Sequence, residues 1–148
     1  MACETIPSLQ EAKVLEKLLR TTKTPAWISF SCKDERHIND GNLIEEVAAL
    51  FINHPNVLAI GINCTAPNYV NSLIRRIKNA VPGKAIVVYP NSGETYNAKN
   101  KTWSGLNDPS QWVQSVIPWI ESGATIIGGC CRIGPAHIKE IKELINEI

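Results

Sequence analysis

The chain has 148 residues, of which 44% are hydrophobic and 20% are charged, a composition typical of one compact globular domain. Its formal net charge of +1 argues against nucleic acid or an acidic membrane surface as a general electrostatic partner. No apolar run approaches the roughly 20 residues that span a bilayer, and the N-terminus lacks a basic region followed by an apolar one. These features predict a soluble cytoplasmic protein.

The first predicted elements are a helix and a strand. Ser8 and Glu11 form a capping-box pattern in front of an apolar stripe, which predicts a helix over about 9–20. The short apolar run AWISFS, residues 26–31, is typical of a buried strand. A polar loop is expected over residues 33–39.

Helices and strands continue to alternate through the middle of the chain. An apolar stripe of helical period over residues 43–51 ends before Pro55, because proline cannot continue a helix. Pro67 suits the first turn of a third helix, which Pro82 ends. The strands on either side of this helix are predicted at residues 57–63 and 85–89.

The last third of the chain begins with its longest irregular stretch. Residues 90–107 are rich in Asn, Ser, Gly, Lys and Thr, which predicts a surface loop over one end of the sheet. Asp108 is a candidate N-cap for the next helix, with Pro109 at the first helical position and Pro118 expected to kink it. The final elements are a strand over 124–128 and a helix that begins at Pro135.

This alternation of elements predicts an α/β fold. Nearly continuous apolar strands are what a parallel sheet covered by helices requires. Periodicity alone does not separate an open doubly wound sheet from part of a (β/α)8 barrel. Four βα units with a preceding helix are about half of what the ~250 residues of a typical barrel supply.

Reactive and polar residues follow three of the predicted strands. The segments are GINCTAP, YPNSGE and GGCCRIGP, each at the carboxyl end of a strand. Parallel α/β folds build their sites at this edge, so Cys64, Cys130 and Cys131 can meet although they lie up to 67 positions apart. Glu94 belongs to the same edge, where a role on the substrate side is expected.

Three converging cysteines indicate a metal site. An odd number of cysteines in a chain without a secretion signal makes a disulfide framework a poor interpretation. Catalytic zinc takes three protein ligands and keeps one open position, which Cys64, Cys130 and Cys131 would satisfy. Neighbouring residues of a regular strand point to opposite faces, so Gly128 and Gly129 are expected to provide the backbone freedom that both thiols need.

The other candidate ligands are assigned to structural roles. Cys3 and Cys32 are expected to be small buried core residues. The histidines are not assigned as ligands; His37 and His54 lie in loop or helix-end positions, and His137 is expected to be solvated or to cap the last helix. Trp103 and Trp112 are assigned to packing rather than to a substrate contact.

The predicted site favours chemistry on sulfur. A substrate thiol at the open position of a three-thiolate zinc would be deprotonated and could attack an electrophilic carbon. This favours alkyl transfer onto sulfur, with hydrolysis by a metal-bound water as the alternative. A thiol redox protein is a weaker interpretation, because adjacent cysteines lack the CxxC spacing.

The sequence resembles the homocysteine S-methyltransferase family over essentially its whole length. The resemblance is carried by five strings in order: ETIPSLQEA, AWISFSCKD, GINCTAP, YPNSGE and GGCCRIGP. It implies a TIM barrel with Cys64, Cys130 and Cys131 as zinc ligands and L-homocysteine as the acceptor that is methylated to methionine. It also implies that Glu4 binds the homocysteine amino group and that Asn63 lies beside the metal.

The wording of PAWISFSCKD is most similar to the fungal and plant branch of the family. That branch uses S-methylmethionine or S-adenosylmethionine as the methyl donor, whose sulfonium makes the methyl carbon electrophilic without a bound cofactor. The partners implied are therefore homocysteine and a sulfonium donor.

The chain also departs from the family pattern. It begins at what corresponds to the end of the fourth barrel strand, so we expect residues 1–148 to form one partial domain, the C-terminal half of a barrel. Ile133 stands where the family has a small hydroxyl residue. The alternative to an enzyme is a non-catalytic remnant that at most binds zinc or a partner chain. Open strand edges, expected at AWISFS and ATIIG, predict a homodimer or pairing with a missing N-terminal half.

Overall fold

The computed structural model describes residues 1–105 and 108–147. The strands in this part of the chain are Ala2–Ile6 (β1), Ala26–Phe30 (β2), Val57–Asn63 (β3), Ala85–Tyr89 (β4), Thr95–Asn97 (β5), Thr102–Ser104 (β6) and Ile126–Ile127 (β7). The α-helices are Leu9–Thr21 (α1), Ile44–Ala49 (α2), Pro67–Ala80 (α3), Pro109–Trp112 (α4), Val116–Ser122 (α5) and Pro135–Asn146 (α6). In the described residues, none of the helices has the length and apolar character needed to cross a membrane.

Five strands form one parallel sheet in the order β1-β2-β3-β4-β7. Neighbours in this sheet follow one another along the chain, apart from the small β5-β6 hairpin inserted before β7. Parallel neighbours need crossover connections of one hand, which place the connecting helices on the same face of the sheet. The predicted parallel α/β fold is confirmed.

The core lies between this helical layer and one face of the sheet. Because strand residues alternate between faces, the register places Ile28, Ile60 and Ile86 side by side on the covered face. All three are fully buried, as are Leu73 and Ile77 of α3, which belong to the same core. The apolar stripes of the sequence are therefore the surfaces that join the helices to the sheet.

The first strand differs from the sequence-based expectation. Residues 2–6 form β1, which pairs with β2, so the sheet has one strand more than the four predicted from apolar runs. The expectation that AWISFS lies at an open edge is therefore wrong, because β2 is enclosed by β1 and β3. The edges of the described sheet are β1 and β7. Only Ile6 of β1 is buried, so this strand lacks the apolar run that indicates the other strands of the sheet.

The segment between β4 and β7 also has more structure than predicted. The expected loop 90–107 contains the antiparallel β5-β6 hairpin, and its positions 106 and 107 lie outside the described residues. The following helix is interrupted by a 3₁₀ turn over Val113–Ser115, just before Pro118. The α-helical ladder is thus interrupted just before Pro118, which has no N–H to donate to it.

Candidate metal centre

Three cysteine sulfurs meet at the carboxyl edge of the sheet. Cys64 directly follows β3, and Cys130 and Cys131 lie in the turn after β7. The Cys131 Sγ is 3.7 Å from the Cys64 Sγ and 3.9 Å from the Cys130 Sγ. All three sulfurs lie within 4.8 Å of one another, and in the described part of the chain no other group of metal-ligating side chains converges in this way.

The spacing of the sulfurs fits a thiolate metal site. Tetrahedral zinc with Zn–S bonds of about 2.3 Å places neighbouring sulfurs about 3.8 Å apart. The two distances to Cys131 match this value. Cys64 and Cys130 are joined as a disulfide, with their Cα atoms 5.6 Å apart. Since metals bind thiolates, this bond must be reduced before all three sulfurs can serve as ligands.

The backbone around the cysteines leaves regular geometry at non-glycine residues. Cys64 has φ 48° and Arg132 has φ 69°, a left-handed conformation that is uncommon outside glycine. Gly128 and Gly129 do not have positive φ angles. Gly129 is instead required by packing, because a Cβ at this position would lie 2.0 Å from Cγ2 of Ile133. The backbone freedom predicted at the two glycines is therefore not used as a positive φ angle. The chain turns instead at Arg132, and Gly129 is needed because Ile133 lies too close for a side chain.

The remaining cysteines lie away from the cluster. Cys32 is 7% exposed, and burial raises the pKa of its thiol to about 12, although a hydrogen bond with Thr65 opposes the rise. Cys3 is half-buried, and burial also raises the pKa of its thiol. Cys32 is thus a buried core residue as predicted, whereas Cys3 is only partly buried and packs against the edge of the core.

Asn63 connects β1 to the end of β3, where Cys64 follows. Its Oδ1 accepts from the Thr5 N–H at 2.8 Å, and its Nδ2 donates to Thr5 Oγ1 at 2.7 Å. Thr5 has φ 59°, an unfavourable angle for a β-branched residue, at the irregularity in the β1-β2 pairing. Asn63 is 1% exposed and precedes Cys64 directly. Its amide therefore fixes the backbone beside Glu4 to the strand end that carries Cys64.

Polar side chains extend this connection across the uncovered face of the sheet. The Ser29 hydroxyl donates to Asn63 Oδ1 at 2.8 Å and also contacts the Tyr89 hydroxyl. Trp27 Nε1 donates to the Tyr89 hydroxyl at 3.2 Å. Glu4 is exposed at the same edge, where the hydrogen bond and the charge of its carboxylate add to the effect of burial in raising the pKa of the Tyr89 hydroxyl.

Glu94 lies beside the cysteine turn, where its carboxylate is bound by a side chain of that turn. Arg132 donates from Nε to Glu94 Oε2 at 3.0 Å and from a terminal nitrogen to Oε1 at 3.1 Å. The Arg132 guanidinium also lies over the Trp103 ring, 5.5 Å from its centroid. Trp103 is 40% exposed, so it does not pack in the core, whereas Trp112 is buried against Trp119 as expected.

The histidines have structural surroundings. His137 is 5% exposed, and its Nδ1 accepts from the Gly134 N–H at 3.2 Å, so it caps the last helix from a buried position. His54 is fully buried, and its Nε2 contacts the backbone oxygen of Glu16. His37 contacts the Asp34 carboxylate. None of the three belongs to the sulfur cluster.

The sequence indicates the residues that connect the site less clearly than it indicates the cysteines. Arg132, Ser29 and Tyr89 lie within the strings that carry the family resemblance, but an arginine, serine or tyrosine at a strand end carries no signal of its own. Thr5 lies in a strand that the apolar pattern does not reveal. The register of the sheet brings Ser29 and Tyr89 together, whereas Arg132 reaches Glu94 through the meeting of two loops.

Comparison with known proteins gives the same family across the chain. The family model described as homocysteine S-methyltransferase matches residues 1–145. "Homocysteine S-methyltransferase YbgG" of Bacillus subtilis is 46% identical over 142 residues, which are 95% of this chain and 45% of that protein. "Homocysteine S-methyltransferase 4" of Zea mays is 43% identical over 99% of this chain and 44% of that protein.

The fold comparison gives a related solved structure. The metallated form of the homocysteine methyltransferase MmuM from Escherichia coli superposes with a TM-score of 0.79 at 34% sequence identity, covering 97% of this chain and 44% of that one. The present sheet and helices thus correspond to about half of a TIM barrel. The chain spans less than half the length of each of these relatives.

Proposed function

Because the chain belongs to the homocysteine S-methyltransferase family, we propose that it takes part in transferring a methyl group from a sulfonium donor to L-homocysteine, giving methionine. The observation that carries this proposal is the convergence of Cys64, Cys130 and Cys131 at the carboxyl edge of the sheet. An open three-thiolate centre suits a reaction in which the acceptor is itself a thiol.

Zinc is the proposed metal, held by the three cysteines after reduction of the Cys64–Cys130 disulfide. The donor set supports zinc, because soft thiolates in tetrahedral arrangement favour it over the metals that prefer oxygen ligands. When bound, zinc lowers the pKa of a thiol at its open position, so that the homocysteine sulfur is available as a thiolate.

The reaction balances as a simple displacement at carbon. The homocysteine sulfur forms a bond to the methyl carbon, and the bond from that carbon to the sulfonium sulfur breaks with its electron pair going to the donor. The sulfonium becomes a neutral thioether, and the proton of the homocysteine thiol is released to solvent. The chain's own residues then have to bind the amino acid and orient its sulfur towards the methyl group.

The proposed substrate residues surround the cysteine cluster. We assign the homocysteine amino group to Glu4, an exposed carboxylate at the same sheet edge. Asn63 supports this position through its two bonds to Thr5, which follows Glu4. Glu94 is the third predicted contact on the substrate side, and its carboxylate also binds Arg132.

The proposed donors are S-methylmethionine and S-adenosylmethionine. Support comes from the PAWISFSCKD string and from the similarity to a plant relative. Both donors carry the methyl group on a positive sulfur, so the reaction needs no further cofactor. We also propose the cytoplasm as the location, where a reducing environment would keep the cysteines available for metal.

The assembly needed for activity is a separate part of the proposal. The chain spans 45% of the Bacillus relative, and the described sheet has edges at β1 and β7. We therefore propose that it pairs with a second copy or with an N-terminal half-barrel. The alternative function is that of a non-catalytic remnant that binds zinc or such a partner without turning over substrate.

An activity assay separates these two functions. The reduced, zinc-loaded chain is incubated with homocysteine and either donor, and methionine is measured. Methionine formation well above that of a Cys131→Ser control supports the methyltransferase and excludes the remnant. Formation no faster than with the control, at a metal content near one zinc per chain, contradicts catalysis by this chain without an N-terminal half-barrel and favours the remnant.

A further inference from the structure

A closed ring of polar contacts fastens the turn that carries Cys131 to the YPNSGE segment. The Ser92 N–H donates to the carbonyl oxygen of Cys131 at 3.1 Å. The Ser92 hydroxyl donates to Glu94 Oε2 at 2.9 Å. Glu94 is bound in turn by Arg132, the residue after Cys131, at 3.0 and 3.1 Å. The ring therefore begins and ends at consecutive residues of the cysteine turn.

The position of Cys131 gives this ring its importance. Cys131 is exposed and lies outside any strand or helix, so neither core packing nor a regular hydrogen-bond ladder fixes its sulfur. Cys64 and Cys130 also lie outside the strands and helices, but they are less exposed, and each has its own N–H bound. The Cys64 N–H donates to the Tyr89 carbonyl oxygen, and the Cys130 N–H donates to that of Pro90, so both are tied to the end of β4.

The acid at the centre of the ring is well placed to hold the turn. The Glu94 side chain is 6% exposed, whereas the Arg132 side chain that reaches it is 44% exposed. Two parallel bonds from a guanidinium to a carboxylate fix orientation as well as distance. Arg132 also has a left-handed backbone, with φ 69°, which turns the chain directly after Cys131. The ion pair thus stabilises a conformation that arginine seldom takes.

We propose that Glu94 is a positioning residue for the metal centre, holding Cys131 in place through Ser92 and Arg132. The proposal rests on the zinc-binding part of the proposed function and identifies the side chains that keep the exposed ligand within reach of the other two. It differs from the predicted substrate role of Glu94, which would leave metal affinity unchanged.

The test compares zinc affinities of the reduced full-length chain by competition with a chromophoric chelator. Glu94→Gln keeps the shape of the side chain but removes the charge, and it should weaken zinc binding about tenfold, the lower end of the effect of outer-shell partners. Ser92→Ala, a milder change, should weaken it in the same direction. Glu45→Gln breaks the Arg76–Glu45 ion pair between α2 and α3, and should leave affinity within about twofold because it lies away from the cysteines.

A second measurement needs no metal. Hydrogen exchange of the Ser92 amide, which donates to the Cys131 carbonyl, should be several-fold faster in the metal-free Glu94→Gln chain than in the wild type. Wild-type zinc affinity or wild-type Ser92 exchange in a folded Glu94→Gln chain would overturn the proposal. A wild-type chain that takes up no zinc would refute the metal part of the proposed function, and the exchange rates would still decide whether Glu94 holds the turn.

Discussion

Each of the three cysteines of the cluster has a distinct local support. Cys64 turns at φ 48° immediately after a buried strand, and Cys131 lies in an exposed turn that ends at the left-handed Arg132. Cys130 directly precedes Cys131, and its N–H donates to the Pro90 carbonyl oxygen. Strained backbone that is held by its surroundings is typical of functional sites. The geometry at this edge thus serves to bring three sulfurs together rather than to complete a strand.

Serine substitution tests the ligand set residue by residue. Cys64→Ser, Cys130→Ser and Cys131→Ser should each lower bound zinc sharply, because each removes one of the three thiolates. Cys32→Ser should leave the zinc content close to that of the wild type, since Cys32 is buried away from the cluster. Metal analysis of the reduced, purified chains measures this. Loss of zinc from the Cys32 variant alone would mean that the ligands were misassigned.

The buried thiol of Cys32 predicts a pH dependence of stability. Its folded pKa of about 12 lies above the unfolded value of about 8.5, so the folded state keeps a proton that the unfolded state releases between these values. The stabilising contribution is therefore complete below pH 8.5 and declines as pH rises, by at most about 1.4 kcal/mol per pH unit.

Urea unfolding of the wild type and Cys32→Ala at pH 7 and pH 10 measures this contribution. The wild type should be more stable at pH 7, and the difference between the two chains should shrink at pH 10. Comparing the two chains at each pH cancels the titration of the other groups. A difference that stays constant between the two pH values would show that Cys32 does not titrate as its burial indicates.

The sequence predicts the reactive residues of the site better than their connections. Three cysteines at strand ends are identified because sulfur at that edge has a clear chemical use. The Glu94–Arg132 ion pair is not identified from the sequence, because it depends on how the loops that follow β4 and β7 meet. The sequence does not predict the turn at Arg132 either. A left-handed backbone is expected at glycine, and Gly128 and Gly129 lie nearby.

At the scale of elements, β1 is the strand most dependent on side-chain contacts. Its pairing with β2 is irregular between Cys3 and Ile6, and four of its five residues are not buried. Asn63 provides compensation by binding both the backbone and the hydroxyl of Thr5. The strand that carries Glu4 is therefore held by a polar contact from β3 as well as by its own ladder.

Replacing Asn63 tests this dependence. Asn63→Ala removes the bonds to Thr5 and Ser29 and leaves polar groups without their partners, which should destabilise the chain by about 2–3 kcal/mol. Asn79→Ala is the control, because Asn79 is exposed near the end of α3 and its loss should cost within about 0.5 kcal/mol. Urea unfolding measures both. Equal stabilities of the two variants would contradict a structural role for Asn63.

The long elements follow from the sequence because periodicity and end signals agree. The α1 helix begins after Ser8, whose side chain accepts from the Glu11 N–H, and α3 begins at Pro67, both as predicted. The strand predicted over 124–128 is reduced to Ile126–Ile127, because the chain leaves strand geometry to form the cysteine turn. The β5-β6 hairpin has no buried residue and so no apolar pattern to indicate it.

At the scale of the whole molecule, the uncovered face of the sheet has a polar end and an apolar end. The carboxyl end carries the Asn63, Ser29 and Tyr89 contacts beside the cysteines. At the opposite end, Leu58 and Ile126 are 58% and 47% exposed and line a common depression. Exposed apolar residues beside open strand edges favour association with other chains.

We therefore expect the chain to form a homodimer or a larger soluble assembly at micromolar concentration. The double substitution Leu58→Lys and Ile126→Lys should shift it towards the monomer, because both charges would have to be buried on association. Leu18→Lys, at an equally exposed apolar position on α1, should have no such effect. Light scattering distinguishes these outcomes, and a wild-type chain that is monomeric throughout would contradict the expectation.

The most direct test of the metal centre is X-ray absorption at the zinc edge of the reduced, zinc-loaded chain, with and without L-homocysteine. We predict three sulfur neighbours at about 2.3 Å from zinc in the chain alone and four after homocysteine is added, because the substrate thiol fills the open position. The Cys131→Ser chain, prepared in the same way, should give a lower sulfur count. A chain that binds no zinc, or a sulfur count that homocysteine leaves unchanged, would contradict a three-cysteine centre that acts on the homocysteine thiol.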